Sequence, residues 1–486
     1  MTSHIAKNSF YNLAGAVLPM AITLLTVPLY LHQIGEARYG VLAIVWLFAG
    51  YFGIMDLGLS RATTNHIAQL HDAPEEERQS LFWTALLLNG LFGLLGALCL
   101  WGAGGFLITN FFKMPDNLRT EVLGALPWIA AAVPLSTMGG VLNGTLEARG
   151  RFLQINLIQL FGTTLFQLIP LAVAFLHGPD LSWLITAAVL SRLAAFLPLL
   201  VVALRSIPVS RLARPDRRWA RRLLVYGGWV TVGNLVSPFL SGLEQFLVGS
   251  ILGVKEVAWY NVPFNLAWRL TMFPAALIRV LFPELSKRSG IESSDLADRS
   301  FRFIGVAFAP LIVVGTVALK PFLNLWIGRE FALHAAPVGL ICLMGVWLNA
   351  LAYVPFALIQ ARGRPDVVAK ILLAEILPFV GLLWLSMNAF GIIGAAWAWT
   401  FRVLVDTVIF IWLSRIGKSY VLELWPASVC LGTAWALATL VPYSSVGYVL
   451  AAAALVIIVI TWAAWREPRL REMASRFASH ARKYVH

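Results

Sequence analysis

The chain has 486 residues, of which 59% are hydrophobic and only 13% are charged. This balance excludes an ordinary soluble protein and is typical of a polytopic membrane protein. The formal net charge of +13 does not predict binding to nucleic acid, because most basic residues lie in short segments between apolar runs, where they set membrane topology.

Fourteen apolar runs follow one another, each about 20 residues long and therefore able to cross a membrane as a helix. We expect an all-α polytopic membrane protein with about 14 transmembrane helices, arranged as two pseudo-symmetric six-helix bundles plus two C-terminal helices. The predicted helices are centred near Ile22, Phe48, Gly93, Ala132, Thr164, Leu190, Leu235, Arg269, Val313, Trp347, Phe379, Thr400, Trp435 and Ile457.

An internal duplication predicts the two bundles. The sequence Ala-Arg-Gly-Arg occupies residues 148–151 and occurs again at 361–364, 213 residues later. Six helices per half is an even number, so both halves would enter the membrane in the same orientation, with the substrate held where they meet. Single residues also repeat at offsets of 215 to 219, and these pairs are Tyr11 with Tyr226, Pro19 with Pro238, Gly35 with Gly253 and Arg61 with Arg279.

The distribution of charge predicts the membrane topology. If both termini are cytoplasmic, 27 of the 37 Lys and Arg residues lie on the cytoplasmic side and six on the other, which the positive-inside rule favours. The predicted division is an N-terminal six-helix bundle at 1–207, a basic cytoplasmic linker at 208–222, a C-terminal six-helix bundle at 223–416, two additional transmembrane helices at 417–465 and a basic cytoplasmic tail at 466–486.

Ionisable residues inside the predicted helices are the first candidates for function, because each costs about 2.5 to 3.5 kcal/mol in hydrocarbon. Arg402 and Asp406 are four residues apart on one helix and are expected to pair. Arg279 and its counterpart Arg61 lie near cytoplasmic helix ends, where they either anchor the helices or line a gate. The full set is Asp56, Arg192, Glu244, Arg269, Arg279, Glu375, Arg402 and Asp406.

Arg269 has the deepest predicted position. It is 14 residues beyond Lys255, which corresponds to roughly 20 Å along a helix, although prolines on either side of it are expected to kink that helix. We expect Arg269 to face a central water-filled cavity and to bind an anionic substrate. The alternative is a buried pair with Asp56 or Glu244. These two acids would serve as counter-ions of the empty cavity or as proton carriers, and the sequence does not separate the two roles.

The sequence carries no motif for a metal site or for known catalytic chemistry. Its three cysteines lie in apolar runs at unrelated spacings, and there is no phosphate-cradling glycine loop, HExxH motif or nucleophile elbow. We therefore expect no enzyme activity, no metal and no cofactor.

Several short motifs resemble those of one transporter family. They are Tyr39-Gly40-Val41, Asp-Leu-Gly-Leu-Ser-Arg-Ala-Thr at 56–63, Leu142-Asn143-Gly144, and Ala-Arg-Gly-Arg-Phe at 148–152. Over essentially its whole length the chain resembles the Wzx-type flippases for lipid-linked O-antigen and exopolysaccharide, within the multidrug/oligosaccharidyl-lipid/polysaccharide exporter superfamily. The resemblance implies movement of an undecaprenyl-diphosphate-linked oligosaccharide from the cytoplasmic to the periplasmic leaflet of the bacterial inner membrane by alternating access.

The resemblance also implies a site and partners. Cationic residues of the central cavity would contact the diphosphate and sugar, and by position Arg269 matches best, followed by Arg61 and Arg279. The expected partners are the lipid-linked oligosaccharide, membrane lipids and polysaccharide polymerase machinery, with no nucleic acid. The alternatives are a cation-coupled multidrug exporter of the same fold, for which Asp56 is the acidic candidate, and a membrane enzyme acting on polyprenyl-linked sugars, against which the short outer loops argue.

Overall fold

A computed structural model describes residues 2–51, 58–70, 74–207, 215–287, 290–468 and 470, and no strand occurs in these ranges. The helices of the described chain are α1 Thr2–Tyr51, α2 Leu59–Gln69, α3 Glu75–Phe111, α4 Asp116–Ala148, α5 Phe152–His177, α6 Leu181–Ser206, α7 Arg217–Ile251, α8 Val254–Arg269, α9 Met272–Lys287, α10 Gly290–Trp326, α11 Arg329–Ala361, α12 Pro365–Ser414, α13 Lys418–Leu422, α14 Trp425–Leu440 and α15 Val446–Arg466.

The all-α fold class is confirmed. Every one of the fourteen predicted centres falls within a helix, and nine helices of the described chain are long and apolar enough to cross a membrane. α1 and α12 each contain two predicted spans, which meet at a kink formed by a single glycine. The backbone leaves helical geometry at Gly35 in α1 (φ 79°, ψ 164°) and at Gly391 in α12 (φ 58°, ψ −140°).

The span predicted around Arg269 is broken into α8 and α9. Leu270 and Thr271 form a tight turn, in which their backbone N–H groups donate to the carbonyl oxygens of Ala267 and Trp268 at 3.1 and 3.0 Å. A proline at position 274 explains the break, because its ring would clash with the carbonyl four residues earlier in a continuous helix. Arg269 therefore ends a helix instead of lying in the middle of one.

The chain divides into two compact units, Met1–Ala258 and Trp259–His486. In the first unit α4 packs against α3 and α6, α5 packs against α6 and α1, and the start of α7 packs against α2 and α3. α7 begins at Arg217, within the range predicted as the linker. The predicted bundle, linker and tail boundaries follow membrane topology and stay predictions.

The second unit is built on the consecutive helices α10, α11 and α12, with α14 and α15 packed against α10. An ionic network fastens one end of these last helices. Arg302 Nε donates to Glu467 Oε1 at 2.8 Å, and Arg302 Nη1 lies 3.6 Å from Glu423 Oε2. Arg466 Nη2 lies 2.8 Å from that same Glu423 oxygen. At another point along α10, the Tyr448 hydroxyl donates to the Val317 carbonyl.

The repeated Ala-Arg-Gly-Arg segment is a repeat of backbone geometry as well as of sequence. In the first copy Gly150 N–H donates to the Glu147 carbonyl at 2.9 Å and Arg151 N–H to the Leu146 carbonyl at 2.9 Å. The second copy has the same two bonds 213 residues later, at 2.9 and 3.2 Å. Gly150 and Gly363 have φ values of +68° and +73°, a left-handed helix ending that favours glycine.

Candidate functional site

The residues predicted from sequence are only partly described. Arg269 is half-buried at the end of α8 and interacts with at least one neighbour, whereas Glu244 on α7 is completely buried. The side chains of Arg61 and Arg279, and the whole of Asp56, lie outside the described residues. The roles assigned to these five residues therefore stay predictions.

A cavity of about 580 Å³ lies in the first unit among α4, α5 and α6. It forms because α6 packs closely against both α4 and α5, while α4 and α5 make few contacts with each other. Gly162 lets α5 approach α6, since a Cβ there would meet Ala195 Cβ at 2.8 Å. Across the cavity a Cβ on Gly139 of α4 would meet nothing within 4 Å, so this glycine faces open space.

The lining of this cavity combines apolar side chains with a few polar groups. Its hydroxyl and amide groups belong to Ser136 and Asn143 on α4 and to Gln159 and Thr163 on α5. Arg192 on α6 is the one ionisable residue in the lining. A concave site with few, convergent polar groups is the usual form of a small-molecule site, and this volume lies in the usual range.

Arg192 is held in place by a hydroxyl and an aromatic ring. Its Nη1 donates to Ser136 Oγ at 3.3 Å, and its Cζ lies 4.9 Å from the ring centroid of Phe166. In the described chain no carboxylate pairs with it. A guanidinium has five N–H donors, so most of those of Arg192 remain available to an anion or to water. A cation at membrane depth requires such a polar environment.

Sequence reasoning placed Arg192 within a span but did not select it for the site. One signal in the sequence distinguishes it. The positions three and four residues away on its own helix, 188, 189, 195 and 196, hold Ala, Val, Ala and Phe, so no acid on the same face neutralises it. Its contacts to Ser136 and Phe166 come from other helices, which the linear pattern does not reveal.

A second group of charges in the second unit neutralises itself. Arg402 Nη1 donates to Glu375 Oε1 at 3.0 Å and lies 3.9 Å from Asp406 Oδ2, and its Cζ is 4.8 Å from the Phe379 ring centroid. The predicted pairing of Arg402 with Asp406 is thus present, with Glu375 as a further partner. Two carboxylates around one guanidinium make this cluster unsuitable for an anionic ligand, which leaves the Arg192 cavity as the better candidate.

Comparison with known proteins gives one family match. A family model described as polysaccharide biosynthesis protein matches residues 5–289, more than half of the chain. The chain is 28% identical over 412 residues to a putative O-antigen transporter of Shigella flexneri, covering 84% of this chain and 97% of that protein. It is 24% identical to lipopolysaccharide biosynthesis protein WzxC of Escherichia coli K12, over 42% of this chain and 43% of that one.

A third relative and two solved structures extend the comparison. A probable low-salt glycan biosynthesis flippase of Haloferax volcanii is 27% identical, over 46% of this chain and 48% of its own length. The lipid II flippase MurJ in an inward closed conformation superposes with a TM-score of 0.69 at 11% identity, covering 95% of this chain and 99% of MurJ. An inward-facing multidrug transporter of the MATE family gives 0.66 at 16% identity, covering 85% and 99%. The two structural likenesses show that this chain has the same fold as those transporters.

Proposed function

The chain belongs to the polysaccharide biosynthesis protein family, and we propose that it is a multi-pass membrane flippase that carries a lipid-linked oligosaccharide from one leaflet to the other. The observation that carries this proposal is the cavity among α4, α5 and α6. There Arg192, which pairs with no carboxylate of a described residue, lies among neutral polar groups. The names of the relatives, which include an O-antigen transporter and a glycan flippase, support the same class of substrate.

The substrate that fits this chemistry has a phosphate group next to sugars, as in an undecaprenyl-diphosphate-linked oligosaccharide. The planar fork of a guanidinium matches two phosphate oxygens, so Arg192 would bind the anionic part. The side chains of Asn143, Gln159 and Thr163 offer donors and acceptors for sugar hydroxyl groups. The prenyl tail would remain in the lipid, because only the polar head needs shelter from hydrocarbon.

The direction of transport in this proposal is from the cytoplasmic to the periplasmic leaflet of a bacterial inner membrane, by alternating access, with both termini cytoplasmic. A potential that is negative inside favours the outward movement of anions. For two negative charges that cross the full field, this amounts to about 4.6 kcal/mol per 100 mV. Transport driven by the potential alone is therefore energetically sufficient. The exported oligosaccharide would then supply a polysaccharide polymerase.

The cations predicted from sequence belong to the same proposal. Arg269, followed by Arg61 and Arg279, would contact the diphosphate. Glu244 and Asp56 would act as counter-ions when no substrate is bound, or as proton carriers. What supports this part is the energetic cost of charge within predicted membrane spans and the resemblance of the surrounding motifs to the flippase family.

The test is complementation of a strain that lacks the chromosomal copy. We expect R192A to abolish surface polysaccharide and to cause lipid-linked oligosaccharide to accumulate in the inner leaflet, with normal amounts of the variant in the membrane. The matched control is R299A, because Arg299 is an exposed arginine paired only at the surface with Asp295. Normal polysaccharide in the R192A strain would contradict the proposal.

A further inference from the structure

The two copies of the Ala-Arg-Gly-Arg turn differ in what surrounds their first arginine. In the second unit the guanidinium of Arg362 is satisfied by neighbours. Its Nη1 donates to the Ser414 carbonyl and its Nη2 to Ser294 Oγ, each at 2.9 Å. Burial and Arg415 lower the pKa of Arg362, and the carboxylate of Asp298 acts in the opposite direction. This copy thus holds its own counter-charge.

In the first unit the equivalent residue, Arg149, lacks these partners. Its Nε atom is shielded from solvent without an acceptor, and its side chain makes no ion pair with a described residue. Burial lowers the pKa of Arg149, and the neighbouring cations Arg78 and Arg151 lower it further. The acids nearest to these arginines in sequence, Glu147 and the acidic first turn of α3, are exposed and do not pair with Arg149.

The local backbone adds to the positive potential at this point. α5 begins at Phe152, directly after Arg151, and the first turn of this helix receives no hydrogen bond from a capping side chain. A helix N-terminus carries a partial positive charge and free N–H groups, which favour an anion. Arg149 and Arg151 place two guanidinium groups at this helix start, and Arg151 Nη1 donates to Gln154 Oε1 at 3.2 Å, which leaves its other N–H groups for an anion. The guanidinium fork matches phosphate oxygens.

We propose that Arg149 and Arg151 form a binding site for a phosphate group, distinct from the Arg192 cavity. The phosphate belongs either to the head group of an anionic membrane lipid or to a soluble phosphate compound. The membrane source is within reach, because α4 ends and α5 begins at this turn and both are long enough to span a membrane. The inference does not depend on the flippase proposal.

The experiment measures retention of phosphatidylglycerol by the purified full-length protein, using native mass spectrometry after reconstitution with mixed phosphatidylglycerol and phosphatidylethanolamine. We expect R149Q to retain about fivefold less phosphatidylglycerol, the size expected for one basic residue near an anionic surface. R149K should retain an intermediate amount. The matched control is R364Q, which changes an exposed arginine of the same motif in the second unit.

Sodium pyrophosphate, added as a competitor, separates the two sources. Displacement of the lipid, with a thermal shift in the unaltered protein and none in R149Q, indicates a soluble phosphate ligand. A lipid preference that pyrophosphate leaves unchanged indicates a head group. Equal lipid retention by R149Q and the unaltered protein, together with equal responses to pyrophosphate, overturns the site.

Two further variants control for misfolding and for loss of transport. If R149Q does not fold, R151Q replaces it, because Arg151 is exposed and its loss removes one cation without opening the core. R192A should keep full lipid retention while losing transport. Lipid retention therefore tests this site, and transport tests the flippase proposal.

Discussion

The guanidinium of Arg192 lies over the ring of Phe166, with 4.9 Å between Cζ and the ring centroid. The ring attracts the charge and restrains its plane, while Arg192 remains part of the cavity lining. Lysine would keep the charge but lose the flat, forked donor set that matches a phosphate. We therefore expect R192K to restore part of the surface polysaccharide that R192A abolishes, measured by glycan labelling relative to membrane protein. Full export by R192K would show that the fork is dispensable.

Filling the cavity should block transport without unfolding the protein. A Cβ at Gly139 would meet nothing within 4 Å, so we expect G139L to place its side chain in the open space and to reduce export at least tenfold. The control is G432L on α14, where a Cβ also meets nothing within 4 Å and which does not line the Arg192 cavity. Both variants should keep the thermal stability of the unaltered protein. Equal losses of export in both would point to a general defect.

Removing the central cation of the second charge cluster should destabilise that unit. R402M leaves Glu375 and Asp406 close together without a guanidinium, and an uncompensated buried charge costs about 3 to 5 kcal/mol. We expect a clear fall in melting temperature in detergent. The double variant R402M/E375M removes one of the two acids as well and should recover most of the loss. Additive effects of the two substitutions would mean that the observed contact contributes little.

The two turn glycines should respond alike to substitution. Alanine at a left-handed position costs about 1 to 2 kcal/mol, so G150A and G363A should lower the melting temperature by similar amounts. The control is G102A within α3, where the added methyl group meets nothing within 4 Å and alanine is the better helix former by about 1 kcal/mol. That control should be neutral or stabilising. A neutral G150A would mean that the turn tolerates a side chain.

Sequence reasoning recovered the helices because the signal for a membrane span is local. An apolar run of sufficient length suffices, and all fourteen predicted centres lie in helices. The break after Arg269 was less accessible, although Pro274 indicates it. A proline in the sequence is compatible with either a kink or a complete break of the helix. The structure shows a complete break, which is formed by the turn at Leu270 and Thr271.

The site was harder to predict than the fold, since its geometry joins distant parts of the chain. Arg192 meets Ser136 across 56 residues, and Arg402 meets Glu375 across 27 residues and the turn at Gly391. The sequence identified all the ionisable residues in question. It also predicted the pairing of Arg402 with Asp406. It did not reveal the further partner Glu375 or the contact of Arg192 with Ser136, because these depend on how distant parts of the chain pack together.

The matching turns at Gly150 and Gly363 agree with the internal duplication that the repeated sequence predicts. The backbone of the two turns is alike, whereas the groups around the first arginine differ. Ser414 and Ser294 accept hydrogen bonds from Arg362, and among the described residues Arg149 Nε has no acceptor. If both halves descend from one ancestral unit, the difference between them lies in the side chains around a turn whose backbone is the same. Ancestral reconstruction of a single half, carrying either set of neighbours, would reveal which arrangement came first.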